Sequence, residues 1–494
     1  MAPGSHSSPD RGRPAGERHS HLARCSVALL TCAALGLSAC ASSAKDPPKK
    51  RRTTVLMTKY DDIDAGRDAA KSVATETGLY DDPELSAYVA RIGRKLLRGI
   101  PRRDFAYQFK VVDEVEPNAF ALPGGYIYVS RGLVALTNSE DELACVLGHE
   151  ITHVALRHAA ARQTLGRGQF PLLGMGQRYG KLASYSRDLE RSADKGGQIL
   201  CAAAGYDPAA LATFLEALTG SERLRAGFAR SPSFFDSHPG SSRRASVNAV
   251  RATEMRWRRD PSLGDTRAAL LAQLDGLPVG QSPEAGLFVG DTFLHPALDF
   301  RLRFPRGWRT SNSNSTVGAR SPRRDAVVFL MNDVPPGEPQ DVAETWLSKT
   351  RDEQSVTLRK SRPVRIGDID AWRLEISASS RGGGAASNVT FIPYRDSTWR
   401  ITGITPQFSE KLFAKTVRTA RSFRPMSEEE RASIEVTRLR IVKARPGESL
   451  VSLGQRTSNA WNVSTTGVYN GLLTTHRFKG GELVKISRTS AFRR

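Results

Sequence analysis

Two hydrophobic periods succeed one another along this chain. The first, up to about residue 275, is mainly helical. Residues 82–100 repeat apolar positions at helical intervals, with Asp82 in the capping position and Pro83 opening the helix. Two strand-like runs follow, FAYQFKVV (105–112) and NAFAL (118–122), and the turn signal Pro123-Gly124-Gly125 leads into YIYVS, residues 126–130. Ser139 with Glu142 three residues later predicts a capping box, opening a helix through LACVLGHEITHVALRHAAA. Past a glycine-rich stretch, 164–180, helical spacing returns over roughly 186–204, to about 228, over 243–256 and over 266–274. From about residue 290 the period becomes two. DFRLRF, AVVFLM, AWRLEI and the hairpin pattern VTFIPYRDSTWRITGI alternate, with helices expected over 341–353 and 408–423. The fold class expected is α+β, with a tail domain over about 436–490 and no internal repeat.

Composition narrows the function classes. With 494 residues and 39% hydrophobic side chains, the chain can build two or three domains and is not a disordered protein. The formal charge of +21 is spread out, concentrated only at Lys49–Arg52. Such a surface favours anionic partners such as lipid headgroups, cell-wall polymers or acidic proteins. No nucleic-acid-binding motif accompanies it, so no nucleic-acid partner is expected.

The N-terminus changes the picture. Arg11, Arg13, Arg18 and Arg24 precede the short apolar run 25–39, the pattern of an export signal instead of a membrane span. The run ends Leu37-Ser38-Ala39-Cys40, which resembles a bacterial lipobox. That resemblance implies a signal peptide over 1–39, lipidation of Cys40 and a tether over 40–58. With Ala41 in place of aspartate, it implies a lipoprotein at the periplasmic face of the outer membrane. An ordinary signal peptide or an anchor is the alternative. Of five cysteines, Cys145 and Cys201 remain, either paired or as buried free thiols.

The candidate chemistry lies in LGHEITHV, residues 147–154. His149 and His153 are i and i+4, about 40° apart in azimuth and about 6 Å apart in rise, so two imidazoles can converge on one ion. Glu150 is held beside that ion, where it can take a proton from water. Imidazole nitrogens plus a carboxylate suit zinc. DLERSADKGG (188–197) offers Glu190 as the third ligand. Asp194, one turn later, can orient a ligating histidine through its other ring nitrogen. Two histidines, one glutamate and one open position make a hydrolytic arrangement. Arg157 and His158 continue the helix in this reading, Arg157 near the ligand face and His158 opposite it, as a structural residue.

NAFALPGGYIYVSRGLVAL, EDELACVLGHEITHVALRH, SRDLERSADKGG and SHPGSSRR occur in that order, and together resemble the HtpX/BepA-like zinc metallopeptidases, relatives of the CAAX-prenyl proteases. The resemblance spans roughly residues 60–255. It implies a mainly helical, gluzincin-type domain with a small sheet over 59–285, binding one zinc ion per chain through His149, His153 and Glu190. Glu150 is then the general base and acid. His238 lies near the metal, as a fourth, self-inhibiting ligand or as a stabiliser of the tetrahedral intermediate. Arg244, or its neighbour Arg243, matches the arginine that follows. Substrate is expected along the edge of Tyr126, Ile127, Tyr128 and Val129 by strand addition, with core packing, which the alternation serves equally well, as the alternative.

Residues 286–428 resemble PsbP-like α+β domains and carry no chemical motif. Trp308, Trp372 and Trp399 there read as core, and His295 has no visible partner. RIVKARPGESLVSLGQR, VYNGL and GGELVKI (436–490) resemble a LysM module of order β-α-α-β, which implies peptidoglycan as a partner. Glu448-Ser449 replaces the usual Asp-Thr pair and residues are inserted around Asn459–Thr466. A scaffold that no longer binds glycan is therefore the alternative.

The function expected is a lipid-anchored periplasmic zinc endopeptidase, a hydrolase acting on misfolded or misassembled envelope proteins. A non-proteolytic cell-wall-binding or chaperone-like lipoprotein is the alternative from another class.

Overall fold

A computed structural model describes residues 58–100, 104–161, 187–224, 234, 238, 241–312, 316–380, 383–407 and 409–492. The export signal, Cys40, the tether up to residue 57, the glycine-rich stretch, and Ser237 and Pro239 beside His238 lie outside the described residues.

The first region is helical around a three-stranded sheet. Helix α1 (Lys59–Glu76) begins at Thr58, whose hydroxyl and the Asp61 carboxylate cap each other reciprocally. Its weak, Asp- and Ala-rich pattern hides it from periodicity. Helix α2 (Pro83–Leu96) is capped by Asp82, as its sequence predicts, and buries Leu85, Val89, Ile92 and Leu96. Strands β1 (Gln108–Val112), β2 (Ala119–Leu122) and β3 (Tyr126–Ser130) follow in the order β1-β3-β2. Strand β3 pairs with β1 in parallel and with β2 antiparallel. It is therefore central, both its sides are bonded, and it cannot accept a substrate strand. The free edges of this sheet belong instead to β1 and β2.

After the short helix α3 (Arg131–Leu136), helix α4 (Glu140–Ala155) runs through the core with almost every residue buried. Ser139 accepts from the Glu142 N–H, but the Glu142 carboxylate reaches one residue further back than a capping box requires, to the Asn138 N–H at 2.7 Å. Three acids fill the first turn: Glu140 takes the Tyr88 and Tyr206 hydroxyls, Asp141 binds Arg259, and Glu142 also takes Thr213. Anionic side chains suit a helix N-terminus. The helix stops at Ala155, because Arg157 sits in the left-handed region at φ 52°. The expected continuation through Arg157 and His158 is thus broken by a turn.

Helices α5 (Arg187–Ala203), α6 (Ala210–Leu224), α7 (Ser241–Glu254) and α8 (Thr266–Leu274) complete this region. Helix α5 crosses α4 at glycines. A Cβ on Gly197 would stand 2.7 Å from the His149 backbone nitrogen, and one on Gly148 would stand 2.9 Å from the Gly197 carbonyl oxygen. The two backbones touch there, which no larger residue would allow. Cys145 and Cys201, on these helices, are buried free thiols.

The second region holds strands β4 (Leu287–Val289), β5 (Thr292–His295) and β6 (Phe300–Arg303) in one small sheet. A seven-stranded antiparallel sheet follows, built from β7 (Arg309–Asn312), β8 (Val317–Arg320), β9 (Val327–Val334), β10 (Val356–Ile366), β11 (Ile369–Ser380), β12 (Gly383–Tyr394) and β13 (Ser397–Pro406). Its order is β10-β11-β12-β13-β9-β8-β7. Helices α9 (Pro339–Glu353) and α10 (Glu410–Arg421) pack on the sheet. The β12–β13 hairpin closes through Tyr394 and Ser397, with Arg395 at φ 53° in its two-residue turn. Trp308 and Trp399 are core residues and Trp372 is half-buried against a second apolar cluster. His295 packs between Phe293 and Phe300 and accepts from the Leu298 N–H, so it does have partners. Burial pushes its imidazole down to about 4.

Past the short helix α11 (Glu428–Ala432), the tail has the order β14 (Glu435–Lys443), α12 (Leu450–Thr457), α13 (Val463–Asn470), β15 (Leu483–Ala491), with antiparallel strands. It shares the first region's core through Leu439 and Tyr469. Lys485, fully buried, donates to the carbonyls of Ala135, Leu136 and Thr137 at the end of α3. Among the described residues no helix is long and apolar enough to cross a membrane.

Candidate metal centre

Four side chains converge between α4 and α5. His149 and His153 lie one turn apart on α4, their Nε2 atoms 3.0 Å from each other. Each Nε2 is also 3.5 Å from an oxygen of Glu190, which α5 presents from its first turn. His238 enters from the segment before α7, with Nδ1 at 2.9 Å from Glu190 and 3.2 Å from His149 Nε2. One donor atom from each of His149, His153, Glu190 and His238 lies within 4.8 Å of the others, and all four residues are buried. Four donors facing one point suit a tetrahedral cation.

Two further observations fit a metal. Oε1 of Glu190 and Oε1 of Glu150 are buried without a hydrogen-bond partner, which is costly unless a cation or polarised water faces them. The charges also sum in the right direction. The buried carboxylates Glu150, Glu190 and Asp194 face one buried guanidinium, Arg244, a net charge of −2. A divalent ion balances it.

The electrostatics of each group follow from this. Burial alone would depress His149, but hydrogen bonds and charge from Asp194 and Glu190 outweigh it and push the imidazole up to about 9. Burial alone would raise Glu190, yet His238 and His149 hold its carboxyl well below the usual range. Asp194 is likewise held low against its burial by His149 and Arg244. The pocket stabilises positive charge on His149.

Supporting groups fix the donors. Asp194 lies 3.0 Å from Nδ1 of His149, so Nε2 is the atom turned to the cluster. Asp194 is itself clamped by Arg244, through Nε at 2.9 Å and Nη2 at 2.6 Å, and by Asn248 at 3.0 Å. Arg244 also donates to the His238 carbonyl at 3.2 Å and stands 3.1 Å from Glu190. Phe234 stacks on the His238 ring at 4.1 Å, and the His238 N–H donates to the Phe234 carbonyl. Nε2 of His238 is 3.6 Å from Glu150.

The structure therefore gathers His149, Glu150, His153, Glu190, Asp194, His238 and Arg244 in one place. Between the two arginines it selects Arg244, since Arg243 is exposed. It leaves Tyr126–Val129 in the central strand, away from any free edge. Arg157 turns from the ligand face to Asp62 and the Thr58 carbonyl of α1. His158, expected on the far side, folds back until its Nδ1 is 2.9 Å from Nδ1 of His153. Asn248 joins the cluster as well, and its place one turn after Arg244 on α7 is the signal in the sequence that marks it. The fourth donor position, expected open, has His238 within reach.

Comparison with known proteins agrees with this geometry. Residues 83–253 match the model of Peptidase family M48. The chain is 30% identical over 195 residues to the mitochondrial metalloendopeptidase OMA1 of Schizosaccharomyces pombe, covering 36% of this chain and 57% of that protein. It is 29% identical over 202 residues to the beta-barrel assembly-enhancing protease of Escherichia coli (strain K12), covering 36% of this chain and 41% of that one. The chain thus spans about half the length of the curated relatives it matches. A solved cyanobacterial PsbP from Synechocystis overlaps 30% of this chain and 99% of its own at 13% identity, with a TM-score of 0.24, too slight a likeness to carry argument.

Proposed function

The chain carries a Peptidase family M48 domain over residues 83–253, and from that premise we propose a zinc-dependent endopeptidase that cuts misfolded or misassembled proteins of the bacterial envelope. The observation that carries it is the convergence of His149, His153 and Glu190 beside the orphaned carboxylate oxygen of Glu150. Zinc in such a site lowers the pKa of its water toward neutrality and polarises a scissile carbonyl.

The chain's own residues do the rest. Glu150 takes the proton of the attacking water at Oε1 and hands it to the leaving amine. Asp194, held by Arg244 and Asn248, keeps His149 Nε2 turned to the cluster, where it would meet a bound ion. His238, stacked on Phe234, would hold the fourth position of a bound ion, and its displacement would open that position to a substrate carbonyl. Substrate lies extended against β2, Ala119–Leu122, the outer strand that packs against α4, and main-chain bonds hold it there. Backbone recognition reads extended chain and not sequence, which suits unfolded substrates.

The lipobox-like Leu37–Cys40 supports anchoring at the periplasmic face of the outer membrane, and the strand–helix–helix–strand order of the tail supports a LysM-like module contacting peptidoglycan. The name of the Escherichia coli relative, a beta-barrel assembly-enhancing protease, supports the substrate class. One observation favours a second reading, a non-cutting holdase. If His238 never leaves, the four-donor site has no place for substrate.

One experiment separates the two. Purified full chain is incubated with an unfolded outer-membrane β-barrel protein, with and without chelator, beside the Glu150→Gln variant. We expect fragments from the wild type only without chelator, and a rate in Glu150→Gln lower by roughly 10²–10⁴-fold with zinc content unchanged. Undiminished cleavage by Glu150→Gln would refute the assigned base. Binding without fragments in all samples would establish the holdase.

A further inference from the structure

The two histidines of α4 face the same point, yet they are backed by different chemistry. His149 leans on a carboxylate, Asp194. His153 leans on a second imidazole, His158, at 2.9 Å between their Nδ1 atoms and with the rings nearly perpendicular at 81°. His158 is itself 96% buried, and its Nε2 lies 3.1 Å from the Ser192 hydroxyl, which donates to the Leu189 carbonyl at 2.8 Å.

Two proton arrangements are open to this chain, and the Ser192–Leu189 hydrogen bond favours one of them. With its one proton on the Leu189 carbonyl, Ser192 Oγ accepts from Nε2–H of His158. A neutral imidazole protonated at Nε2 has its lone pair at Nδ1. The His153 Nδ1–H donates to that lone pair, and the lone pair of His153 Nε2 faces His149 and Glu190.

We propose that His158 is a positioning residue: through the Ser192–His158–His153 chain it locks His153 in the tautomer whose Nε2 can bind the metal. The inference rests on the zinc-peptidase reading above. The backbone is shaped for the task. The left-handed turn at Arg157 reverses the chain after α4 and swings His158 under His153. That conformation is strained in a non-glycine residue, and it is held by the Arg157 guanidinium on Asp62 and on the Thr58 carbonyl. The far end of the chain is Ser192, set on α5 between Glu190 and Asp194. One helix therefore supplies the third ligand and the supports of both ligating histidines. A neutral support also spares the site a further buried carboxylate, keeping its charge at the value a divalent ion balances.

The test measures zinc affinity of the full chain by competition with a chromophoric chelator, and the visible spectrum of the cobalt-loaded protein. His158→Phe keeps ring volume and removes the acceptor, and we expect zinc to bind about 10–100-fold more weakly with an altered cobalt band. His158→Gln offers an oxygen to His153 and an N–H to Ser192, and we expect it to restore most of the loss. Wild-type affinity and spectrum in His158→Phe would overturn the proposal, leaving His158 as packing. Should that variant not fold, Ser192→Ala probes the same chain from its far end: weaker zinc binding supports it, and unchanged binding overturns it. A wild-type chain that binds no zinc would instead sink the peptidase reading.

Discussion

The candidate metal centre and the seven-stranded sheet both bury charge, and they do so in opposite ways. Between α4 and α5 the buried carboxylates share a single guanidinium and leave two oxygens unpartnered, aimed at one small volume. In the sheet, buried Arg400 is matched within its own neighbourhood. Its Nε and Nη2 fork onto Asp333 at 2.9 and 2.6 Å, Nη1 donates to Thr402, and the guanidinium lies over Trp346. Nothing is left over for a ligand. Burial of a charged group does not mark a site; convergence of uncompensated groups does.

Arg373, on β11 of the same sheet, tests where that line falls. It is fully buried, its Nε donates to Thr390, and both Nη atoms lack partners. Burial and the nearby Arg421 and Arg362 bring it down to about 10. The sharpest contrast is therefore within the sheet. Arg400→Met strands Asp333 in a nearly dry setting and should cost about 3–5 kcal/mol. Arg373→Met loses one hydrogen bond and removes an unmatched charge, so its stability should stay within about 1 kcal/mol of wild type. Denaturant unfolding followed by tryptophan fluorescence compares the two. Equal costs would mean that Arg373 has a partner of its own, and the distinction between compensated and uncompensated charge would fail there.

The next largest effect should come from the helix crossing. Gly197→Ala drives a methyl group to 2.7 Å from the His149 backbone nitrogen, and overpacking of this kind costs about 1–3 kcal/mol. Because the displaced helix carries Glu190 and Asp194, zinc affinity should fall along with stability. The sheet has no such coupling. A thermal melt of Gly197→Ala alongside chelator competition checks it, and a stability loss with zinc affinity unchanged would show that the ligands adjust independently of the crossing.

These cases show what was readable in the sequence. Helix spacing placed His149 and His153 together because i and i+4 is local geometry. The interval from Glu190 to Asp194 worked for the same reason. The hairpin at Arg395-Asp396 and the helix over Thr266–Leu274 were likewise set by local signals. What depended on the path of the backbone was not readable. The reversal at Arg157 needs a left-handed residue with no glycine to announce it, so helical periodicity carries His158 to the wrong side. Strand order is a long-range property: the alternation of YIYVS suits an edge and a core strand equally well, and it takes the centre between β1 and β2. The glycines at 148 and 197 mattered through each other, which neither position shows alone.

The smallest predicted effect follows from charge at the centre. His149 is pushed up to about 9 because Asp194 and Glu190 favour its protonated form despite burial. In the metal-free protein that ion pairing adds stability that is fully present below the ordinary histidine value near 6.5 and is lost as pH rises through about 9. A bound ion such as zinc would need the Nε2 lone pair, so its binding would expel the proton at any pH below that value. Apparent zinc affinity should then fall about tenfold for each pH unit below 9, and about one proton should leave His149 per ion bound at pH 7. Calorimetry in buffers of different ionisation enthalpy counts that proton. Asp194→Asn removes a main support of the raised value, so the proton count at pH 7 should drop, while no variant in the sheet should alter it. A proton count that ignores Asp194 would mean that the charge of the centre is not concentrated on His149.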